Sequence, residues 1–156
     1  MHYAPPPAAL AKPALFAAPR LSAVARACVG LAGIVMLGLL ITAARLTPDP
    51  KGHGTHRQLG LPPCTVVSWF GVRCPSCGMT TAFSHMVRGQ VAGAVRANAG
   101  GALLALAAVV AGPWFVGSAA YGQWLIGPPR DVVVIGVGLT VVVVTIVDWT
   151  LRLAFG

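Results

Sequence analysis

The stretch ACVGLAGIVMLGLLITAA, residues 27–44, holds 18 consecutive uncharged and mostly apolar residues. Arg26 stands directly before it and Arg45 directly after it. With its flanks the stretch covers residues 23–45 and reaches the roughly 20 residues that a helix needs to cross about 30 Å of hydrocarbon. We therefore predict a first transmembrane helix here. The alternative is a cleaved signal peptide, whose apolar region is shorter and starts nearer the N-terminus.

Two further stretches have the same apolar character. Residues 99–121, AGGALLALAAVVAGPWFVGSAAY, contain Pro113, which a membrane helix tolerates, usually with a kink. Residues 132–149 begin with the valine-rich run VVVIGVGLTVVVVTIV. Valine favours strands, but a lone strand cannot satisfy its backbone groups in lipid, so a helix is the better prediction. The Gly-Pro-Pro sequence at 127–129 predicts the turn between these two helices.

Small and charged residues indicate how the helices pack. Glycine lets membrane helices approach closely, so the glycines of the first two spans are interpreted as helix contacts. They are Gly30, Gly33, Gly38, Gly100, Gly101, Gly112 and Gly117. At the end of the third span, Asp148 and Arg152 stand four residues apart and are expected to pair.

The composition agrees with a membrane protein and excludes several functions. Of the 156 residues, 56% are hydrophobic and 9% charged, and the mean hydropathy is +0.79. Eleven Lys and Arg face three Asp and no Glu, which gives a net charge of +8. Because the cations mostly flank apolar stretches, the expected partner is the lipid bilayer and not a nucleic acid. Three dispersed carboxylates also leave little for acid–base hydrolysis.

The domain organisation follows from these stretches. Residues 1–20 are rich in Pro and Ala and are predicted to be a disordered tail, while 21–156 form one membrane domain. A cysteine-bearing loop, residues 47–98, joins the first two spans. Seven of the cations lie on the side of this loop and of the C-terminus, and four lie on the other side. The positive-inside rule then predicts a multi-pass protein of the inner membrane with a cytoplasmic cysteine loop.

The loop contains the sequence LPPCTVVSWFGVRCPSCGMTTAF, residues 61–83, with three of the four cysteines. After it, helical periodicity predicts two short helices over 79–88 and 90–97, broken at Gly89 and begun by a cap at Gly78, Thr80 or Thr81. One face of this hairpin is apolar and the other basic, which suits a membrane surface. The apolar face comprises Phe83, Met86, Val87, Val91, Ala94 and Val95, and the polar face comprises His85, Arg88 and Arg96. The predicted fold is therefore all-α, with three transmembrane helices and an interfacial amphipathic hairpin next to a CxxC motif.

Three interpretations of the cysteines stay open. Cys74 and Cys77 could exchange disulfides, with the Cys77 thiolate stabilised at a helix N-terminus and Cys64 as a third thiol. Cys64, Cys74, Cys77 and His85 have the composition of a Cys₃His zinc site, although the spacing of His85 is not diagnostic. The thiols could also be purely structural, bridged or buried. His53 lies in a polar linker, as does His56, and both are expected to be solvated.

The segment PPCTVVSWFGVRCPSCGMTTAFSHMVRGQVAGAVRAN resembles a family of small bacterial membrane proteins known as domain of unknown function 2752. The shared pattern falls on Pro63, Cys64, Cys74, Pro75, Cys77, Gly78, Thr80, Ala82, Gly89 and Asn98. The resemblance covers roughly residues 60–120. Two positions depart from it, because Thr81 stands where many members have Arg and Gln90 where many have Asp. The family carries no established activity, so the resemblance supports the architecture and implies no reaction.

The function expected first is that of a non-enzymatic scaffold or accessory component, whose cysteine loop, structural or held by a metal, presents a surface to a membrane protein partner or a second copy of the chain. The alternatives are a membrane thiol–disulfide oxidoreductase and a metal-binding or transport-related protein. Transport is disfavoured because the spans lack the buried ionisable residues that mark a pathway.

Overall fold

The computed structural model describes residues 19–155, which form six α-helices and one short 3₁₀ helix. The α-helices are α1 (Ala23–Arg45), α2 (Thr65–Phe70), α3 (Met79–Met86), α4 (Val91–Ala97), α5 (Ala99–Tyr121) and α6 (Asp131–Phe155), and the 3₁₀ helix is Thr55–Leu59. Three of them, α1, α5 and α6, are long and apolar enough to cross a membrane. The predicted all-α fold with three candidate spans is confirmed. The 3₁₀ helix and α2 lie in the first part of the loop, before residue 79, where the sequence predicted no helix.

The most extensive helix contact is the seam between α1 and α5. A Cβ added to Gly33 would lie 2.8 Å from the backbone nitrogen of Val116 and 3.0 Å from the carbonyl oxygen of Gly112. A Cβ on Gly112 would lie 3.0 Å from Leu37. The helix backbones therefore nearly touch at this point, as the glycine pattern predicted. Helix α5 continues through Pro113 to Tyr121.

The other glycines divide between confirmed contacts and corrections. Gly30 packs against Ala119 of α5, Gly100 meets Thr145 of α6, and Gly101 meets Met79 and Ala82 of α3. The prediction for Gly38 is wrong, because no atom lies within 4 Å of the position of its Cβ. Gly117 contacts Leu125 in the turn after α5 and not another helix.

Helix α6 packs on α5 mainly near the end of the bundle that carries the cysteine loop. None of its residues in the described chain is buried. Its C-terminal part is attached by polar contacts: Asp148 Oδ2 accepts from the backbone N–H of Ala99 at 3.3 Å, and Arg152 pairs with Asp148 at 2.9 Å as predicted. Arg152 also donates to the carbonyl of Ala97 at 2.9 Å and to that of Arg96 at 2.9 Å, which caps the end of α4.

The opposite end of the bundle is closed by the segment before α1 and by the first turn of α1. Arg26 donates to the carbonyls of Ala119 and Ala120, at 2.6 and 3.2 Å, and so caps the end of α5. The backbone N–H of Leu21 donates to the carbonyl of Gly122 at 2.9 Å. Most of the predicted tail, residues 1–18, lies outside the described residues. Its last two residues pair with the chain after α5. Arg20 forms an isolated antiparallel bridge with Gln123, and the carbonyl of Pro19 accepts from the backbone N–H of Trp124 at 3.2 Å.

The hairpin of α3 and α4 packs on the ends of α1 and α5. Gly89 adopts φ +71° and separates the two helices, and Gly78 precedes α3, as predicted. Phe83 is buried, whereas Val91 and Val95 of the predicted apolar face are not covered by the rest of the chain and remain 55% and 46% exposed. Helix α4 instead buries the small residues Ala94 and Ala97, which allow it to lie close to its neighbours.

Candidate functional site

Three cysteines from two separate parts of the loop meet at the cysteine end of the bundle. Cys64 precedes α2, while Cys74 and Cys77 lie in the turn that leads into α3. The Sγ atoms of Cys64 and Cys74 are 3.5 Å apart, and Cys74 Sγ lies 3.3 Å from the hydroxyl of Ser76. All three thiols are half-buried, whereas Cys28 is exposed on α1. Cys64 and Cys74 are therefore in direct contact through their sulfur atoms, although they stand ten residues apart in the sequence.

The three thiols share the wall of a cavity of about 500 Å³. Polar residues in the same lining include His56, Ser76, Thr80 and Thr81. The remaining wall is mostly apolar and comes from α1, α3 and α5 through Leu39, Ala43, Leu46, Met79, Phe83 and Leu104, with Leu59 of the 3₁₀ helix. The site thus joins a thiol cluster to an apolar chamber between the helix ends.

The thiols differ in acidity. The backbone N–H of Val67 at the start of α2 is the main cause that lowers the pKa of Cys64, and the neighbouring Cys74 thiol lowers it further. Burial raises the pKa of Cys77, and the sulfurs of Cys74 and Cys64 add to this rise. The direction of the pKa shift at Cys77 is opposite to the one expected for a thiolate stabilised at a helix N-terminus. Helix α3 begins at Met79, as predicted, and no backbone N–H offsets the effect of burial on the Cys77 sulfur.

The turn that carries Cys74 and Cys77 is held by a single buried asparagine. Asn98 is 2% exposed and donates from Nδ2 to the carbonyls of Pro75 and Cys77, at 3.0 and 3.1 Å. Its Oδ1 accepts from the backbone N–H of Gly101 at 2.7 Å and so caps α5. One side chain therefore connects the thiol turn directly to the first turn of a membrane helix.

Two further contacts fix this turn. Trp149 of α6 donates from Nε1 to the carbonyl of Arg73 at 2.6 Å, directly before the first cysteine of the CxxC motif. Gly78 follows the motif with φ +89°, and a Cβ there would collide with the carbonyl of Ala97 and lie 2.6 Å from that of Gly52. Glycine is required at this position both for its conformation and for space.

The polar layer beneath the site links α3 to α1 and to the 3₁₀ helix. The hydroxyls of Thr55 and Thr81 are 2.8 Å apart and fully enclosed. Ser84 donates to the carbonyl of Leu46 at 2.6 Å. Arg88 donates to that same carbonyl at 2.7 Å and to the carbonyl of Ala44 at 3.0 Å, which caps the end of α1. Arg88 is thus a helix cap more than a free surface charge.

The two departures from the family pattern each have a local partner. Thr81 bonds to Thr55, as described above. The Oε1 atom of Gln90 lies 2.7 Å from Nδ1 of His85, and that imidazole packs against Gly93 of α4. Both positions are therefore locally satisfied by side chains of this chain.

The histidines are placed differently from the sequence prediction. His85 does not line the cavity that the cysteines share, so the predicted fourth zinc ligand lies apart from the sulfurs. Within residues 19–155 no group of three or more His, Cys, Asp or Glu side chains is arranged to hold a metal ion. His56 was expected to be solvated, but it lines the cavity, with its Nε2 3.2 Å from the carbonyl of Pro62. Its spacing from Cys64 carries no recognisable signal.

Comparison with known proteins adds one relationship. No curated protein and no solved structure matches this chain. The region that matches a known family contains the three clustered cysteines, Gly78 and Asn98. These are the residues that build and hold the thiol turn. The match of residues 64–112 to the family described as protein of unknown function (DUF2752) supports the assignment of this chain to that family.

Proposed function

We propose that the protein is a membrane thiol–disulfide oxidoreductase in which Cys64 and Cys74 form the redox pair. The observation that carries the proposal is the 3.5 Å contact between their sulfurs at the wall of a cavity. A disulfide bond is about 2.05 Å long, so the pair needs only a short approach of two side chains to close. The lowered pKa of Cys64 favours the thiolate that such exchange requires.

The exchange proceeds in two balanced steps. The Cys64 thiolate attacks one sulfur of a substrate disulfide, that S–S bond breaks, and the leaving sulfur takes up a proton. The result is a mixed disulfide between Cys64 and the substrate. Cys74 then loses its proton and attacks Cys64 Sγ, which releases the second substrate thiol and leaves a Cys64–Cys74 disulfide. Two electrons pass from the cysteine pair to the substrate, and the reverse sequence oxidises a substrate dithiol.

Cys77 supports this assignment by its contrast with Cys64. Its buried sulfur has a raised pKa, so at neutral pH it is a thiol and a poor nucleophile. It lines the same cavity and can serve as the third thiol of the cluster. The proposed reacting pair is thus Cys64 with Cys74, and not the two cysteines of the CxxC motif.

Trapping of the mixed disulfide tests the proposal. The purified protein, reduced and reconstituted in lipid nanodiscs, is treated with oxidised glutathione and analysed by mass spectrometry. The wild type should form a Cys64–Cys74 disulfide, and Cys74→Ser should accumulate glutathione on Cys64. Cys28→Ser is the control, because that exposed cysteine lies on α1 away from the cluster. Absence of glutathione from Cys64 in the Cys74→Ser protein would contradict the mechanism.

The structural scaffold role is distinguished by stability. A scaffold should lose its fold when Cys64 is replaced by Ser, whereas an oxidoreductase should lose exchange with its fold intact. Zinc bound by Cys64, Cys74, Cys77 and His85 remains the alternative cofactor prediction. It requires His85 to leave Gln90, and metal analysis of the purified protein tests it directly.

The proposal includes the membrane side of the thiols. The seven cations on the side of the loop favour a cytoplasmic cysteine end, where cellular thiols keep the pair largely reduced. A membrane-impermeant maleimide should then label the loop cysteines only in permeabilised cells and without prior reduction. Labelling of intact cells would place the loop outside.

A further inference from the structure

We infer that the cavity beside the cysteines binds a lipid-soluble quinone, which exchanges electrons with the Cys64–Cys74 pair. The inference rests on the proposed thiol chemistry and names its membrane partner. It is argued from the depth of the cavity, the chemistry of its lining and the electron balance of the reaction.

The cavity reaches from the cysteine loop into the depth of the spans. Leu39 lies six residues before the end of α1, which corresponds to about 9 Å along a helix. Leu104 lies at a similar depth in α5. These two side chains are 55% and 40% exposed, so the apolar wall borders the surface that faces lipid. A ligand dissolved in the bilayer can therefore reach the thiols without crossing water.

The lining favours an uncharged ligand. Among the described residues that line the cavity there is no Lys, Arg, Asp or Glu. Cofactors that carry phosphates, such as flavin or nicotinamide nucleotides, would find no cationic side chain in this lining, since Lys51 and Arg57 line a smaller adjoining cavity instead. The volume of about 500 Å³ falls inside the range of about 300–1,000 Å³ that small-molecule sites occupy. A ring with two carbonyl groups and an apolar tail matches this chamber.

The lining also offers hydrogen-bond donors to the carbonyl oxygens of a quinone ring. The hydroxyls of Ser76 and Thr80 and the imidazole of His56 are among the lining groups that can donate, and Ser76 lies 3.3 Å from the Cys74 sulfur. The apolar side chains on the membrane side would surround the tail. The lining therefore combines polar groups for the quinone ring with apolar side chains for the quinone tail.

The electron balance closes with a quinone. Two thiols lose two protons and two electrons when one S–S bond forms. A quinone takes up two electrons and two protons and becomes a quinol. The quinone thus restores the Cys64–Cys74 disulfide after each oxidation of a substrate dithiol. In the reverse direction, quinol supplies two electrons to the disulfide that each reduction of a substrate leaves behind.

The test uses the reduced full-length protein in nanodiscs with decylubiquinone as the probe. Quinone should be consumed as the Cys64–Cys74 disulfide appears, one molecule for each disulfide. Leu104→Trp places a large side chain in the cavity wall and should slow this reaction about tenfold or more. The matched control is Leu106→Trp, which is on the same helix, is 50% exposed and does not line the cavity, and its rate should stay unchanged.

A parallel reaction with oxidised glutathione separates the two claims. Both tryptophan variants should still form the disulfide with glutathione, which shows that they are folded and that their thiols are competent. Disulfide formation with glutathione but none with decylubiquinone would overturn the quinone site and leave the proposed function standing. Equal slowing by both tryptophan variants would also overturn it. Failure with both oxidants would overturn the proposed function itself.

Discussion

At one end of the bundle, residues 19–26 meet 119–124 through backbone hydrogen bonds and the side chain of Arg26, whereas the cysteine end is held by enclosed polar side chains. The described part of the chain buries five polar residues. Four of them, Thr55, Thr81, Ser84 and Asn98, lie at the cysteine end, and Ser118 lies at the other. Buried polar groups cost free energy unless each is hydrogen-bonded, so they restrict the packing that a sequence can adopt.

The difference indicates where geometry matters most in this protein. A closed helix end needs only its last carbonyls satisfied, and Arg26 achieves this for α5. The cysteine end satisfies its helix ends and also fixes the turn that carries Cys74 and Cys77, through Asn98 and Trp149. A supporting shell of this kind is expected around reactive groups that must be held in position.

The largest effect is expected from Gly78→Ala, which adds a side chain at a position of the cysteine end where there is no room for one. The substitution would place alanine in a left-handed backbone conformation and its Cβ against two carbonyl groups. It should lower the free energy of unfolding by at least ~3 kcal/mol. Titration with sodium dodecyl sulfate, followed by circular dichroism, measures the loss. Gly89→Ala is the control, with φ +71° and open space around it, and should cost about 1 kcal/mol. Equal losses would show that conformation alone, and not the contact with α4, makes Gly78 necessary.

The second effect separates the two roles of Asn98. Asn98→Ala removes the α5 cap and both bonds to the thiol turn and should destabilise the protein by about 2–3 kcal/mol. Asn98→Asp keeps the acceptor for the Gly101 N–H but loses the donor. It should retain more of the stability than the alanine variant, yet shift the reduction potential of the cysteine pair. An unchanged potential in the Asp variant would contradict the positioning role.

The third effect lies in the seam between α1 and α5, away from the thiols. Gly33→Ala inserts a methyl group 2.8 Å from the backbone of Val116 and should cost about 2 kcal/mol through overpacking. Gly38→Ala, on the same helix with open space around it, should be neutral or stabilise by about 0.5–1 kcal/mol. Neither variant should change glutathione exchange at Cys64. A loss of exchange in Gly33→Ala would show that the seam and the site are coupled.

The smallest expected effect is a difference between Cys64 and Cys77 in the pH at which each thiol begins to react. Because the pKa of Cys64 is lowered, its thiolate forms at lower pH than that of an ordinary cysteine, whereas the raised pKa of Cys77 delays its ionisation. Alkylation by iodoacetamide should therefore begin at a lower pH for Cys64 than for Cys77. Peptide mass spectrometry over a pH series follows both sites. Earlier labelling of Cys77 would contradict the assigned roles.

The sequence alone predicts the helical framework because its signals are local. The three spans follow from apolar length, the break in the hairpin from Gly89, and the ion pair of Asp148 and Arg152 from helical spacing. Close packing at Gly33 was also predicted, while Gly38 shows that a glycine can lie on an open face. Composition identifies candidate contacts but does not say which helix faces meet.

The site is less predictable because it depends on contacts between distant residues. The cysteine cluster was evident, but the contact of Cys64 with Cys74 and the presence of His56 arise from the path of the loop. The stabilisation that one interpretation gave to the Cys77 thiolate is opposed by the burial of its sulfur, which raises the pKa of Cys77 and depends on how the loop packs. Asn98 was named through the family pattern, but its bonds to the thiol turn became visible only in three dimensions.

The most direct test of the central claim is the reduction potential of the cysteine pair, measured by equilibrating the protein in nanodiscs with glutathione buffers and mapping the disulfide by mass spectrometry. Working thiol oxidoreductases have potentials between roughly −270 and −120 mV, whereas structural disulfides lie below about −300 mV. Our account predicts a reversible Cys64–Cys74 disulfide with a potential in the first range. A Cys64–Cys74 disulfide whose own reduction potential lies below about −300 mV would contradict the account. So would the absence of any disulfide between these two cysteines.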